Sequence, residues 1–134
     1  MSKIVDVEGI GEAYAKKLEA AGVKTTDDLL SMGSSPKGRQ TLAEKAGISD
    51  KLVLRWVNHV DLFRIHGVGS EYAELLEVAG VDTIPELAQR KAENLVAKMT
   101  EVNTAKKLVR RLPTLDQVKA WIDEAKNLPR MITY

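Results

Sequence analysis

The segment Val7-Glu8-Gly9-Ile10-Gly11, followed by Glu12-Ala13-Tyr14-Ala15-Lys16-Lys17-Leu18, returns at Ile65-His66-Gly67-Val68-Gly69, followed by Ser70-Glu71-Tyr72-Ala73-Glu74-Leu75-Leu76. The offset is a constant 58 residues, and the match runs on through Ala21-Gly22-Val23 with Thr25, and Ala79-Gly80-Val81 with Thr83. Of the 24 aligned pairs from 7–30 to 65–88, 11 are identical. A repeat of this period constrains the architecture before any local propensity does. One copy, near sixty residues, buries too little surface to be robust alone, so two copies packed as one unit are expected.

The chemistry of the repeated stretch is that of a tight turn feeding a helix. Glycine permits positive φ, or a close backbone approach, where a Cβ would clash. The N–H groups of the first helical turn have no intrahelical acceptor, and they point outward with a dipole that favours an anion. Tyr14, Ala15 and Leu18 continue as a stripe at helical spacing, and Gly22 is a natural stop. This stretch resembles the helix-hairpin-helix motif, whose Gly-apolar-Gly hairpin offers backbone amides to a nucleic-acid phosphate. Ala15 and Leu18, with Ala73 and Leu76, fit its spacing, as does the Ala-Gly-Val-x-Thr tail followed by Leu29 or Leu87. The resemblance implies phosphate contact at Gly9, Ile10 and Gly11, and at Gly67, Val68, Gly69 and Ser70. Glu12 follows the first hairpin and Ser70-Glu71 the second. Because a carboxylate there suits the helix dipole but repels phosphate, the second hairpin is the better candidate of the two.

Most of the chain is also similar to a bacterial family of unknown function that carries such hairpins in tandem. The fold implied is all-α: two tandem helix-hairpin-helix-like (SAM-domain-like) repeats plus a C-terminal helix. The expected division is a first repeat over 1–64, with an inserted loop at 31–38, and a second repeat with a capping helix over 65–134.

Charge is distributed by module. Residues 65–88 carry five acids and no Lys or Arg, whereas 89–111 carry seven basic residues against two acidic. Residues 1–28 balance at −2 and 37–64 at +3. Such alternation speaks to partners rather than to fold. Two readings follow. Either the basic modules meet nucleic acid, duplex DNA in preference, or acidic and basic modules pack on one another within or between chains.

Between the hairpins, Ser31-Met32-Gly33-Ser34-Ser35-Pro36-Lys37-Gly38 reads as a loop without a counterpart of equal length. Leu42-Ala43-Glu44-Lys45-Ala46-Gly47-Ile48-Ser49, with Val53 and Trp56, is similar to a DNA-binding helix-turn-helix. That pattern implies a recognition helix over 49–58 with Ser49, Lys51, Arg55 and Asn58 available to a groove. The alternative is that this helix pair simply supports the second hairpin. At an offset of 56, Leu52, Val53 and Trp56 fall on Leu108, Val109 and Leu112, and Lys51 and Arg55 fall on Lys107 and Arg111. This predicts a duplicated basic pair, one turn apart on a solvent-facing helix, as the electrostatic candidate for phosphate contact. Thr114-Leu115-Asp116-Gln117 is a capping box opening a last helix with Val118, Trp121, Ile122 and Ala125. That helix is expected to pack across the repeats.

No catalytic constellation is visible. The chain has no cysteine and two histidines, so thiolate chemistry is excluded and neither a metal nor a cofactor is expected. No Gly-rich loop ends in Lys-Ser/Thr, which argues against a nucleotide triphosphate site. Six aromatics argue against binding of single strands by base stacking. Met1-Ser2-Lys3 leads directly into the first motif without an apolar signal stretch, so a cytoplasmic location and no membrane partner are expected. The expectation is a non-enzymatic nucleic-acid-binding module, with a protein-interaction or self-association module as the alternative.

Overall fold

A computed structural model describes residues 3–7 and 9–134. Among them the regular structure is helical, as expected. A 3-10 turn at Ile4–Asp6 precedes α1 (Glu12–Ala20), α2 (Thr26–Met32), α3 (Pro36–Ala46), α4 (Asp50–Leu62), α5 (Ser70–Val78), α6 (Ile84–Ala88), α7 (Ala92–Lys106) and α8 (Leu115–Asn127). The chain divides into two compact units. One runs up to Asp61 and includes Met131–Tyr134; the other is Leu62–Arg130.

In the first unit α1 and α2 both pack on α3, and Leu18, Val23, Leu29, Leu42, Val53, Trp56 and Val57 are fully buried or nearly so. The final residues belong to this core, although the sequence expectation assigned them to the second repeat. Ile132 is buried and the Thr133 amide donates to the Ser34 carbonyl at 2.8 Å. Arg39, itself buried, donates to Gly33 O and Thr133 O at 2.9 and 2.8 Å. Its guanidinium also lies 5.7 Å from the Tyr134 ring centroid. A buried cation is tolerated only when its donors are met, and the returning tail meets them.

In the second unit α5 packs on α7, and α8 packs on both α6 and α7. The core comprises Leu75, Leu76, Val81, Leu87, Leu95, Met99, Val118, Trp121 and Ile122 among others. The last helix is therefore the fourth helix of this unit. It has the 13-residue length of α4. At an offset of 65, Val53, Trp56 and Val57 fall on Val118, Trp121 and Ile122, which are buried in the same way.

Local chemistry explains where the helices start and stop. Gly22 and Gly80 take φ of +98° and +97° after α1 and α5. The following Val23 and Val81 amides donate back to Leu18 O and Leu76 O at 2.9 and 2.8 Å, which satisfies carbonyls the helix leaves open. Thr25 and Asp28 form a reciprocal capping box at α2, and Thr114 and Gln117 form the expected one at α8. Thr83 caps α6 by accepting from Glu86 N at 3.2 Å.

Two expectations fail here. The loop at 31–38 shrinks to Gly33-Ser34-Ser35, the same length as Gln89-Arg90-Lys91 between α6 and α7. Ser35 caps α3 by accepting from Gly38 N at 3.0 Å, and Pro36 occupies the first helical turn. Gly38 is helical, and a Cβ there would collide with the Met32 carbonyl. It serves close packing of α3 on the end of α2, not a loop.

The second failure concerns the basic pair. α7 ends at Lys106, and Lys107 takes φ +52°, ψ +48°, the conformation that Gly47 (φ +67°) supplies after α3. Asn103 lies inside α7. It holds the departing chain by bonding Val109 N and O at 2.9 and 3.1 Å. Lys107 and Arg111 therefore do not share a helix, and the offset-56 stripe through Leu108 and Leu112 does not form. The α8 counterparts of Lys51 and Arg55 are Asp116 and Ala120.

Candidate functional site

Each repeated motif forms a four-residue turn. Ile10 N–H donates to Val7 O at 3.0 Å, and Val68 N–H to Ile65 O at 3.1 Å. The third residue of each turn has positive φ, +88° at Gly9 and +85° at Gly67, a conformation that favours glycine. An indole lies beneath each of these glycines. The position a Cβ would occupy is 3.4 Å from Trp56 Nε1 in one case and from Trp121 Nε1 in the other. Each indole also meets a tyrosine from the helix that the turn feeds. Tyr14 and Trp56 have ring centroids 5.1 Å apart, and Tyr72 and Trp121 5.4 Å. The Trp56 N–H is buried and finds no acceptor among the described residues.

Ile10 and Val68 are buried at 3% and 4% exposure. Their side chains fasten the turns to the core, so any contribution they make to a ligand comes from the backbone. The second glycines differ from the first. Gly11 and Gly69 have φ of −83° and −99° with extended ψ, open to any residue. A Cβ on either would meet no atom within 4 Å. Both are N-caps, and neither makes a side-chain cap hydrogen bond. Neither backbone conformation nor packing requires these glycines. Their effect is that the N-cap residue brings no side chain of its own to the first helical amides. Ser70 begins α5 half-buried, and it has an interaction of its own.

The surroundings of the two turns diverge. In the first unit Arg55 on α4 brings Nη1 to 4.0 Å from the Cβ position of Gly9. Lys51 is exposed one turn earlier. In the second unit Glu124 on α8 accepts from the His66 amide through Oε1 and pairs with His66 Nδ1 through Oε2, both at 2.9 Å. The His66 amide, opposed by burial, and then the His66 ring hold the Glu124 carboxyl below the usual glutamate range. Only the packing of α8 brings them together. Arg111 is exposed, and its carbonyl accepts from Tyr72 O–H at 2.8 Å, which places the loop after α7 beside the start of α5.

The helix-turn-helix expectation divides. Gly47 is left-handed and Ile48, Val53 and Trp56 are buried, as that pattern requires. Ser49 is occupied as a cap, accepting from Leu52 N at 3.2 Å. Asn58 is buried and accepts from Tyr134 O–H at 2.9 Å, so it cannot reach a groove. Among the described residues no three His, Asp or Glu side chains converge as metal ligands, and no helix is long and apolar enough to cross a membrane.

The molecule is thus an all-helical protein whose two units each carry a glycine turn seated on a tryptophan. The chain matches the family described as Domain of unknown function (DUF4332) over residues 8–128 and belongs to it. Neither a curated protein nor a solved structure matches the chain.

Proposed function

We propose that this protein is a non-enzymatic nucleic-acid-binding module that contacts the phosphate backbone of duplex DNA through helix-hairpin-helix-like turns. The observation that carries the reading is the second glycine of each turn. Ser, Thr, Asp or Asn would fit the extended backbone at Gly11 and Gly69 and would cap the helices better. Glycine instead brings no side chain to compete with an outside acceptor there, where the helix dipole favours an anion. Arg55 beside the first turn adds a cation with geometry suited to phosphate. Lys51, Lys107 and Arg111 supply exposed charge on the surrounding surface.

Fluorescence anisotropy with labelled duplex DNA, single-stranded DNA and RNA tests the reading. Several neutralised phosphates weaken binding by orders of magnitude between about 50 and 200 mM salt. Micromolar or tighter binding with that slope supports phosphate contact, and the preferred ligand names the class. Absence of binding at the lowest salt removes the reading. It directs attention to self-association of acidic and basic modules, read as a mass that rises with concentration and shifts on charge reversal at Glu71 and Glu74.

A further inference from the structure

The connection into the fourth helix is longer in the second unit than in the first. Gly47-Ile48-Ser49 joins α3 to α4, whereas residues 107–114 join α7 to α8. The end of α7 and the start of this connection read Lys106-Lys107-Leu108-Val109-Arg110-Arg111, four cations and no acid. Several contacts fasten this strap. Asn103 bonds Val109 N and O at 2.9 and 3.1 Å, and Val109 and Pro113 are buried. Tyr72 O–H donates to Arg111 O at 2.8 Å, and the Tyr72 ring is itself packed against Trp121. With its apolar residues turned in, the strap leaves Lys106, Lys107, Arg110 and Arg111 all exposed. Six residues span at most about 18 Å, so the four charges lie within reach of neighbouring phosphates on one duplex.

Packing does not account for these charges. Among the described residues none of the four side chains has a carboxylate partner. The exposed acids on the elements that hold the strap are Glu71, next to Tyr72, and Asp116, in the first turn of α8. Glu101 on α7 is engaged with Lys98 at 3.9 Å. Four cations against Glu71 and Asp116 leave the surface positive. Lys107 also takes φ +52°, so a charge is kept where glycine would suit the backbone better.

We propose that the basic strap 106–111 is the surface that holds the phosphate backbone of duplex DNA. The inference rests on the nucleic-acid reading above and deepens it, because it names a contact that does not depend on the amides of either turn. Two guanidinium groups and two ammonium groups suit phosphate oxygens. The strap has no aromatic side chain to stack on a base, so the contact is with phosphates and is insensitive to sequence. A lipid surface would ask for an apolar face as well as charge. Leu108 and Val109 are turned in, and only Leu115 beyond the strap is an exposed apolar residue.

Anisotropy of the full chain with labelled duplex DNA, across about 50 to 200 mM salt, tests this. The double variant Arg110→Ala/Arg111→Ala is expected to weaken binding at least about tenfold at about 100 mM salt. It should also flatten the dependence of log K on log salt by about 1.8, the loss of two phosphate contacts. A charge-matched control on α3, Lys37→Ala/Lys45→Ala, is expected to stay within about twofold of wild type. Lys107→Gly separates binding from folding. It removes a cation while relaxing the backbone, so affinity falls about threefold to tenfold while the Tm does not fall. The proposal is overturned if wild type binds duplex and the Arg110/Arg111 variant binds as tightly, or if the α3 control loses as much. In either case the nucleic-acid reading stands with its contacts elsewhere. If wild type binds no duplex at the lowest salt, the nucleic-acid reading itself fails and the strap's role falls with it. Binding instead to phosphatidylserine vesicles, lost in the same double variant, would assign the strap to a lipid surface and overturn the proposal.

Discussion

The first and second units solve the same packing problem with the same parts, yet the fourth helix brings a cation to one turn and an anion to the other. In both, a glycine at positive φ sits on an indole, and a tyrosine from the following helix packs against that indole. In one, an arginine from the fourth helix stands beside the turn; in the other, a glutamate from the fourth helix is bonded to it. The lesson is that the two units are alike where the core demands it and differ where the surface does not. Core positions are held by volume and backbone geometry, which tolerate little change. Charges on the outer face carry small energies individually, so they are free to diverge.

The largest expected effect tests whether the two tryptophans are equivalent. Trp56→Ala and Trp121→Ala each remove a buried indole and are expected to cost about 3–5 kcal/mol, measured by urea unfolding. A much smaller loss in one unit would break the comparison. Next come the glycines. Gly9→Ala and Gly67→Ala force an alanine into positive φ with its Cβ against an indole, a cost of about 1–3 kcal/mol each. Gly11→Ala and Gly69→Ala, with extended backbone and open space, should cost no more than about 1 kcal/mol, the loss of a good N-cap. Equal losses at first and second glycines would refute the division between a packing glycine and an access glycine. If Gly11→Ala remains stable but binds DNA less tightly, that division is sharpened.

Smaller still is Lys107→Gly. The residue has φ of +52° where the first unit uses Gly47, so glycine is expected to stabilise by about 0.5–1 kcal/mol, visible as a raised Tm. The smallest effect is acid dependence. The Glu124 carboxyl is held below its ordinary value of 4.5 in the folded state. The stabilisation it contributes is therefore fully present above that value and fades as pH falls through the lowered one. Glu124→Gln should flatten the stability profile in this acid range, measured as unfolding midpoint against pH. An unchanged profile would mean that the His66 bond does not persist in solution.

Some of this was legible in the residues. Gly22, Thr25 and Leu29 announce helix ends and starts by rules that act within four residues, and their copies at Gly80, Thr83 and Leu87 do so again. The fourth helix was harder. Val53-x-x-Trp56 and Val118-x-x-Trp121 carry the signal, but the spacing drifts from 58 to 65 because α7 runs longer than α3 and a loop follows Lys107. An offset carried forward by counting therefore set Trp56 against Leu112. Gly38 misled for a related reason: a glycine demanded by a neighbouring carbonyl is spelled the same as a glycine demanded by a loop.

By itself the sequence determined the helical class, the duplicated glycine turns and most caps, because each depends on backbone conformation and bonds between near neighbours. Tertiary structure alone decided that α8 is the fourth helix of its unit, that Asn58 is buried under Tyr134, and that Arg39 is held by the returning tail. It also decided that Arg55 stands by one turn and Glu124 by the other. Those outcomes join residues far apart in the chain, 46 positions for Gly9 and Arg55 and 95 for Arg39 and Tyr134. Such meetings are set by how helices pack, for which no local pattern of residues carries the information.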